Sequence, residues 1–94
     1  MKVVFTASAL ADLDEILNHA AANYPDLIHL IEQRIRASVE RVGRWPQSAR
    51  AVEERHGVRV VPVIRYPFRI FYRVSGGQVE ILQIHHAARQ LPQF

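Results

Sequence analysis

The stretch RYPFRIFYRVSGGQVEILQIHH, residues 65–86, decides the fold. Two runs rich in β-branched and aromatic residues flank Gly76-Gly77, a two-residue loop of the kind that closes a β-hairpin. With that turn, Ser75 faces Gln78, Val74 faces Val79 and Arg73 faces Glu80. Counting outward without interruption then pairs Phe71 with Leu82, Arg69 with Ile84 and Pro67 with His86. Directly opposed side chains share one face of a sheet. One face thus gathers Phe68, Ile70, Tyr72, Val74, Val79 and Ile81, an apolar surface that must be covered. The other gathers Arg65, Arg69, Phe71, Arg73, Glu80, Leu82, Ile84 and His86. A one-residue slip would bury several arginines, at a cost of about several kcal/mol each. The second face, basic with apolar residues between, is the predicted functional surface.

Working outward, Val58 to Val63 predicts a strand, with Pro62 marking an edge or a bulge. The loop from Trp45-Pro46 to about His56 is polar and turn-forming. Before it, Leu10, Leu13, Ile16, Leu17, Ala20 and Tyr24 recur at helical spacing, as do Ile28, Ile31, Ile35, Val39 and Val42. Thr6 or Ser8 suits the cap of the first helix. Pro25-Asp26 suits the first turn of the second, and Gly43 a left-handed cap at its end. Lys2 to Phe5 reads as a short strand. The order β-α-α-β-β-β predicts an α+β domain spanning residues 1–94, its helical hairpin packed on one face of a small, mainly antiparallel sheet.

The 94 residues are 49% hydrophobic and 22% charged, ordinary values for a globular fold. No run approaches the roughly 18 uncharged residues that span a bilayer. The apolar start, Met1 to Phe5, is too short for a signal peptide, so a cytoplasmic protein without membrane contact is expected. The absence of cysteine excludes disulfides, a thiolate nucleophile and Cys-ligated zinc. His85 and His86, adjacent on a strand, point to opposite faces and make a poor metal pair. No cofactor motif and no metal site are expected.

Charge is unevenly placed. Residues 1–54 carry net −2 and residues 55–94 net +5, and eleven of the twelve cations are arginine. Arginine presents a planar fork of donors suited to phosphate and carboxylate. The C-terminal half therefore suits an anionic partner, nucleic acid or acidic protein.

Three strings carry a resemblance: Gly57-Val58-Arg59, then Tyr66-Pro67-Phe68-Arg69-Ile70-Phe71-Tyr72-Arg73-Val74, then Ile81-Leu82-Gln83-Ile84-His85-His86-Ala87-Ala88-Arg89. Together with Ala9-Leu10-Ala11-Asp12-Leu13 and the loop at Trp45-Pro46, they resemble the RelE/ParE superfamily of toxins over nearly the whole chain. The resemblance implies a growth-inhibiting toxin of a type II toxin–antitoxin system. Its partner would be a cognate antitoxin protein from the adjacent gene, wrapped around it in a hetero-oligomer. RelE-like members cut mRNA on the ribosome without metal. ParE-like members, including plasmid-stabilisation proteins, share the fold and poison DNA gyrase.

The catalytic groups separate the branches. Metal-free RNA cleavage needs a base for the 2′-hydroxyl, cations for the phosphorane and an acid for the leaving oxygen. On the RelE-like pattern Arg69 is the phosphate contact, His86 (or His85) the acid, and Glu54 (or Glu53) the base. Against this, no lysine follows Lys2, and the tail Gln90-Leu91-Pro92-Gln93-Phe94 lacks the tyrosine several such nucleases use. The ParE-like branch, with gyrase as target, is therefore favoured over the mRNA endoribonuclease. A non-toxic nucleic-acid-binding module stands third. For target or antitoxin the candidate contacts are Arg59, Arg65, Arg69, Phe71, Arg73, Leu82, Ile84, His85, His86, Arg89 and Phe94.

Overall fold

A computed structural model describes residues 1–86. Lys2–Phe5 forms β1, followed by α1 (Ala7–Asn23) and α2 (Ile28–Arg44). Four more strands follow: β2 (Arg50–Ala51), β3 (Val58–Pro62), β4 (Phe68–Ser75) and β5 (Gln78–His86). They build one sheet in the order β1-β5-β4-β3-β2. β1 runs parallel to β5, and the remaining pairs are antiparallel. The helices pack on one face, so the fold is the expected α+β layer. Among the described residues, no helix is long and apolar enough to cross a membrane.

Thr6 is the residue that turns β1 into α1. Its Oγ1 accepts from the Ala9 N–H at 3.2 Å, capping the helix, and faces the carbonyls of Ile81 and Leu82 at 3.0 and 3.1 Å. Ser8 lies inside the helix instead. Pro25-Asp26 belongs to the turn between the helices, and α2 begins only at Ile28. Gly43, expected as a left-handed cap, sits within α2, which runs on to Arg44. Glycine is needed there because a Cβ would come within 2.8 Å of Val3 Cγ2. The first helix buries a narrower stripe than its sequence suggests. Ala9 and Ala20 are buried and Leu13 and Ile16 pack on the core, while Leu10 and Tyr24 stay about half exposed. In α2, Ile31, Ile35 and Val42 are buried as expected.

The hairpin turn is as predicted: Gly76 and Gly77 have φ of 59° and 75°, the left-handed pair that a tight two-residue loop demands. The register also holds from Ser75↔Gln78 through Arg73↔Glu80 and Tyr72↔Ile81. It then shifts. Phe71 pairs with Gln83, Ile70 with Ile84, Arg69 with His85 and Phe68 with His86, leaving Leu82 as the extra residue of a β-bulge. The expected pairs Phe71–Leu82, Arg69–Ile84 and Pro67–His86 are therefore wrong. Burial is the reason. An uninterrupted ladder would put Ile84 in solvent, whereas the bulge brings it beneath the helices at 4% exposure.

The polar loop also holds a strand that its composition hid. β2 pairs with β3 through Arg50↔Val60 and Ala51↔Arg59, and the Val52 N–H donates to the Val58 carbonyl at 2.8 Å. β3 ends at Pro62 rather than Val63, and Arg65, Tyr66 and Pro67 stay outside β4, which begins at Phe68.

Candidate functional site

The bulge redistributes the predicted basic face. Arg69, Phe71 and Arg73 stay on the face away from the helices, and His85 joins them opposite Arg69. Ile84 leaves for the core. His86 leaves for the helix side, where its ring meets Phe68 edge-on at 5.5 Å between centroids. Of the residues expected as an exposed apolar scatter, Phe71 is buried at 2% exposure. It forms a second small core with Val58 and Val60, on which Val52 and Leu82 pack. Burying an aromatic ring there holds the short β2 edge and the turn after it against the sheet.

The arginines divide by role. Arg73 Nε donates to Glu80 Oε1 at 2.9 Å across the hairpin, an exposed pair worth about 0.2–1 kcal/mol. Arg59 is held by the chain itself. Its guanidinium donates to the Ala49 carbonyl and to Gln47 Oε1, each at 2.7 Å, pinning the segment that follows α2. Arg65 is exposed in the connection between β3 and β4 with φ of 76°, the left-handed region that a side chain enters at a cost of about 1 kcal/mol. Arg69 is partly exposed, with no ion pair among the described residues. Arg89 and Phe94 lie outside the described residues.

Arg69, His86 and Glu54 are not brought together. Glu54 is exposed in the turn before β3, beside the Val58 end. Arg69 stands opposite Pro62, at the other end of the same strand. Four residues of strand separate the two ends, roughly 13 Å. His86 is on the opposite face. Among the described residues no cluster of histidine and carboxylate side chains suits a metal ion.

Two features escaped the sequence reading. The Tyr72 hydroxyl, in a fully buried side chain, donates to the Pro46 carbonyl at 2.7 Å. Burial pushes its pKa above the ordinary 10.0, against the pull of the nearby Arg59 guanidinium. On the helix side, a groove of about 610 Å3 opens between α1 and the end of the sheet, lined by Asp12, Glu15, His19, Tyr66, Phe68 and His86 among others. Asp12 is anchored there, its Oδ2 accepting the Ile84 N–H at 3.0 Å. That bond satisfies the edge of β5 beyond the point where β1 departs.

Known proteins share this arrangement. Residues 3–91 match the family described as ParE toxin of type II toxin-antitoxin system, parDE. Toxin RelE2 of Caulobacter vibrioides is 33% identical over 89 residues, covering 94% of this chain and 97% of that protein. The chromosomal ParDE TA system from P. aeruginosa includes a chain 32% identical with a TM-score of 0.80, covering 92% of this chain and 95% of that one. The YoeB/ParE toxin from Agrobacterium tumefaciens, 22% identical with a TM-score of 0.57 over 92% of this chain and 98% of its own, shares the fold. With the family match running over residues 3–91, and relatives of 32–33% identity covering more than nine-tenths of it, the chain belongs to the ParE toxin family of type II toxin–antitoxin systems.

Proposed function

We propose that this chain is a growth-inhibiting cytoplasmic toxin that acts on DNA gyrase and is neutralised by an antitoxin encoded beside it. The observation that carries the choice of target is the dispersal of the cleavage groups. Arg69, His86 and Glu54 occupy one face, the opposite face and a distant turn. A metal-free cleavage of RNA needs base, cation and acid within reach of one phosphodiester. Poisoning by contact needs none of these. It needs a basic, partly apolar surface, which Arg69, Arg73 and the rim of the Phe71 cluster supply. The groove beside Asp12 offers Tyr66 and Phe68 as walls for the apolar side of an antitoxin segment, giving a hetero-oligomer.

One observation favours the second reading, a ribosome-dependent endoribonuclease. Arg69 and His85 are a direct cross-strand pair, so a cation and an imidazole stand side by side on the outer face. Induced expression in cells distinguishes the two. Gyrase poisoning predicts arrested growth, altered plasmid topology and no discrete cuts by primer extension on ribosome-bound mRNA. Coexpression with the adjacent reading frame restores growth. A-site cuts that disappear with Arg69→Ala, at unchanged plasmid topology, would establish the nuclease instead.

A further inference from the structure

At the far edge of the sheet, a shallow cleft of about 360 Å3 opens where α2 ends, β2 begins and β3 meets β4. Arg41 reaches it from the last turn of α2, Arg50 from β2 and Arg69 from β4. Val60, Val61 and Pro62 are among the apolar residues that line it. Among the described residues, no carboxylate lines the cleft and none of the three guanidiniums has an ion-pair partner. Arg50 stands opposite Val60 and Arg69 opposite Pro62, so both rise from the same face of the sheet. Arg41 comes from the helix side, around the uncovered edge of β3. Three like charges converging on one hollow repel one another unless an anion lies between them.

The backbone narrows what that anion can be. The Val52 N–H donates to the Val58 carbonyl, so by strand alternation Val58, Val60 and Pro62 turn their backbone groups toward the outer edge. Pro62 has no N–H to offer. The ladder therefore stops at Arg50, and beyond it the edge offers an extended peptide the Pro62 carbonyl but no N–H. With no N–H at that edge, an anionic occupant is held by the arginine side chains, and the guanidinium fork matches a phosphate oxygen pair. We propose that Arg41, Arg50 and Arg69 form a binding cleft for a phosphodiester backbone. The inference stands apart from the choice of target, because gyrase-bound DNA and ribosome-bound mRNA present the same diester.

Fluorescence anisotropy tests it, with labelled duplex DNA and labelled single-stranded RNA of mixed sequence as the two probes over a salt series. Each of Arg41→Gln, Arg50→Gln and Arg69→Gln should weaken binding several-fold. Each should also lower the slope of log K on log salt by about one, while thermal melting stays unchanged. Arg36→Gln removes the same charge from an arginine already paired with Glu32 at 3.5 Å, and should leave the slope as it was. Whichever probe binds more tightly identifies the source of the diester, and either supports the cleft. Equal effects from all four variants would mean diffuse surface charge and overturn the proposal. So would binding to neither nucleic acid, or tighter arginine-dependent binding to a polyglutamate peptide.

Discussion

Tyr72 shows how much one side chain can hold here, since it joins the middle of the sheet to the loop leaving α2. Tyr72→Phe keeps the ring in the core and removes only the bond to the Pro46 carbonyl. The expected loss is about 1 kcal/mol, read as a lower urea midpoint at unchanged slope. The same hydroxyl gives a pH signature. Because burial raises its pKa in the folded state, the unfolded chain ionises first as pH rises. The contribution is thus fully present below the unfolded value near 10 and is lost as pH climbs toward the folded one. Wild type should lose more stability than Tyr72→Phe between pH 8 and about 11; parallel losses would contradict the assignment. None of this was legible beforehand, because nothing in the sequence of Tyr72 or Pro46 announces a partner 26 positions away. The anchoring of Arg59 was hidden for the same reason: its donor fork meets carbonyls of its own chain.

The bulge in β5 decides which side chains face outward at the level of whole elements. Ile84→Lys tests it directly. On an uninterrupted hairpin Ile84 would be a surface position and the lysine harmless. Beneath the helices it forces an unpaired ammonium into the core, and the protein should become insoluble or unfolded. Ile35→Ala, in the same core cluster, should cost about 2–5 kcal/mol by leaving a cavity. A circular-dichroism melt within a degree or two of wild type for either variant would contradict the layer arrangement. The hairpin, its glycine turn and its first four pairs were readable because alternation and turn chemistry agree there. The slip beyond Tyr72 left one sign, the spacing of three between Ile81 and Ile84 where a regular strand requires two or four. β2 left none. Two residues, Arg50 and Ala51, are too few for alternation to register, and their pairing depends on β3 alone.

Across the whole molecule, the uneven charge resolves into an architecture. The acidic excess of residues 1–54 lies largely on the helices and the turn before β3, while the arginines of β4 face away from the helical layer. The fold and the toxin family were both legible, since the order of elements and the Tyr-Pro-Phe-Arg string need only local sequence. The arginine cleft was not, because Arg41, Arg50 and Arg69 meet only when helix end, edge strand and hairpin converge. The dispersal of Arg69, His86 and Glu54 likewise needed three dimensions, and on it rests the choice of gyrase over mRNA. That choice is tested most directly by adding the purified chain to purified gyrase with relaxed plasmid and ATP. Supercoiling should fall with increasing dose and recover when the antitoxin from the neighbouring gene is supplied. Supercoiling that proceeds at its normal rate under a large molar excess of folded protein would contradict the account.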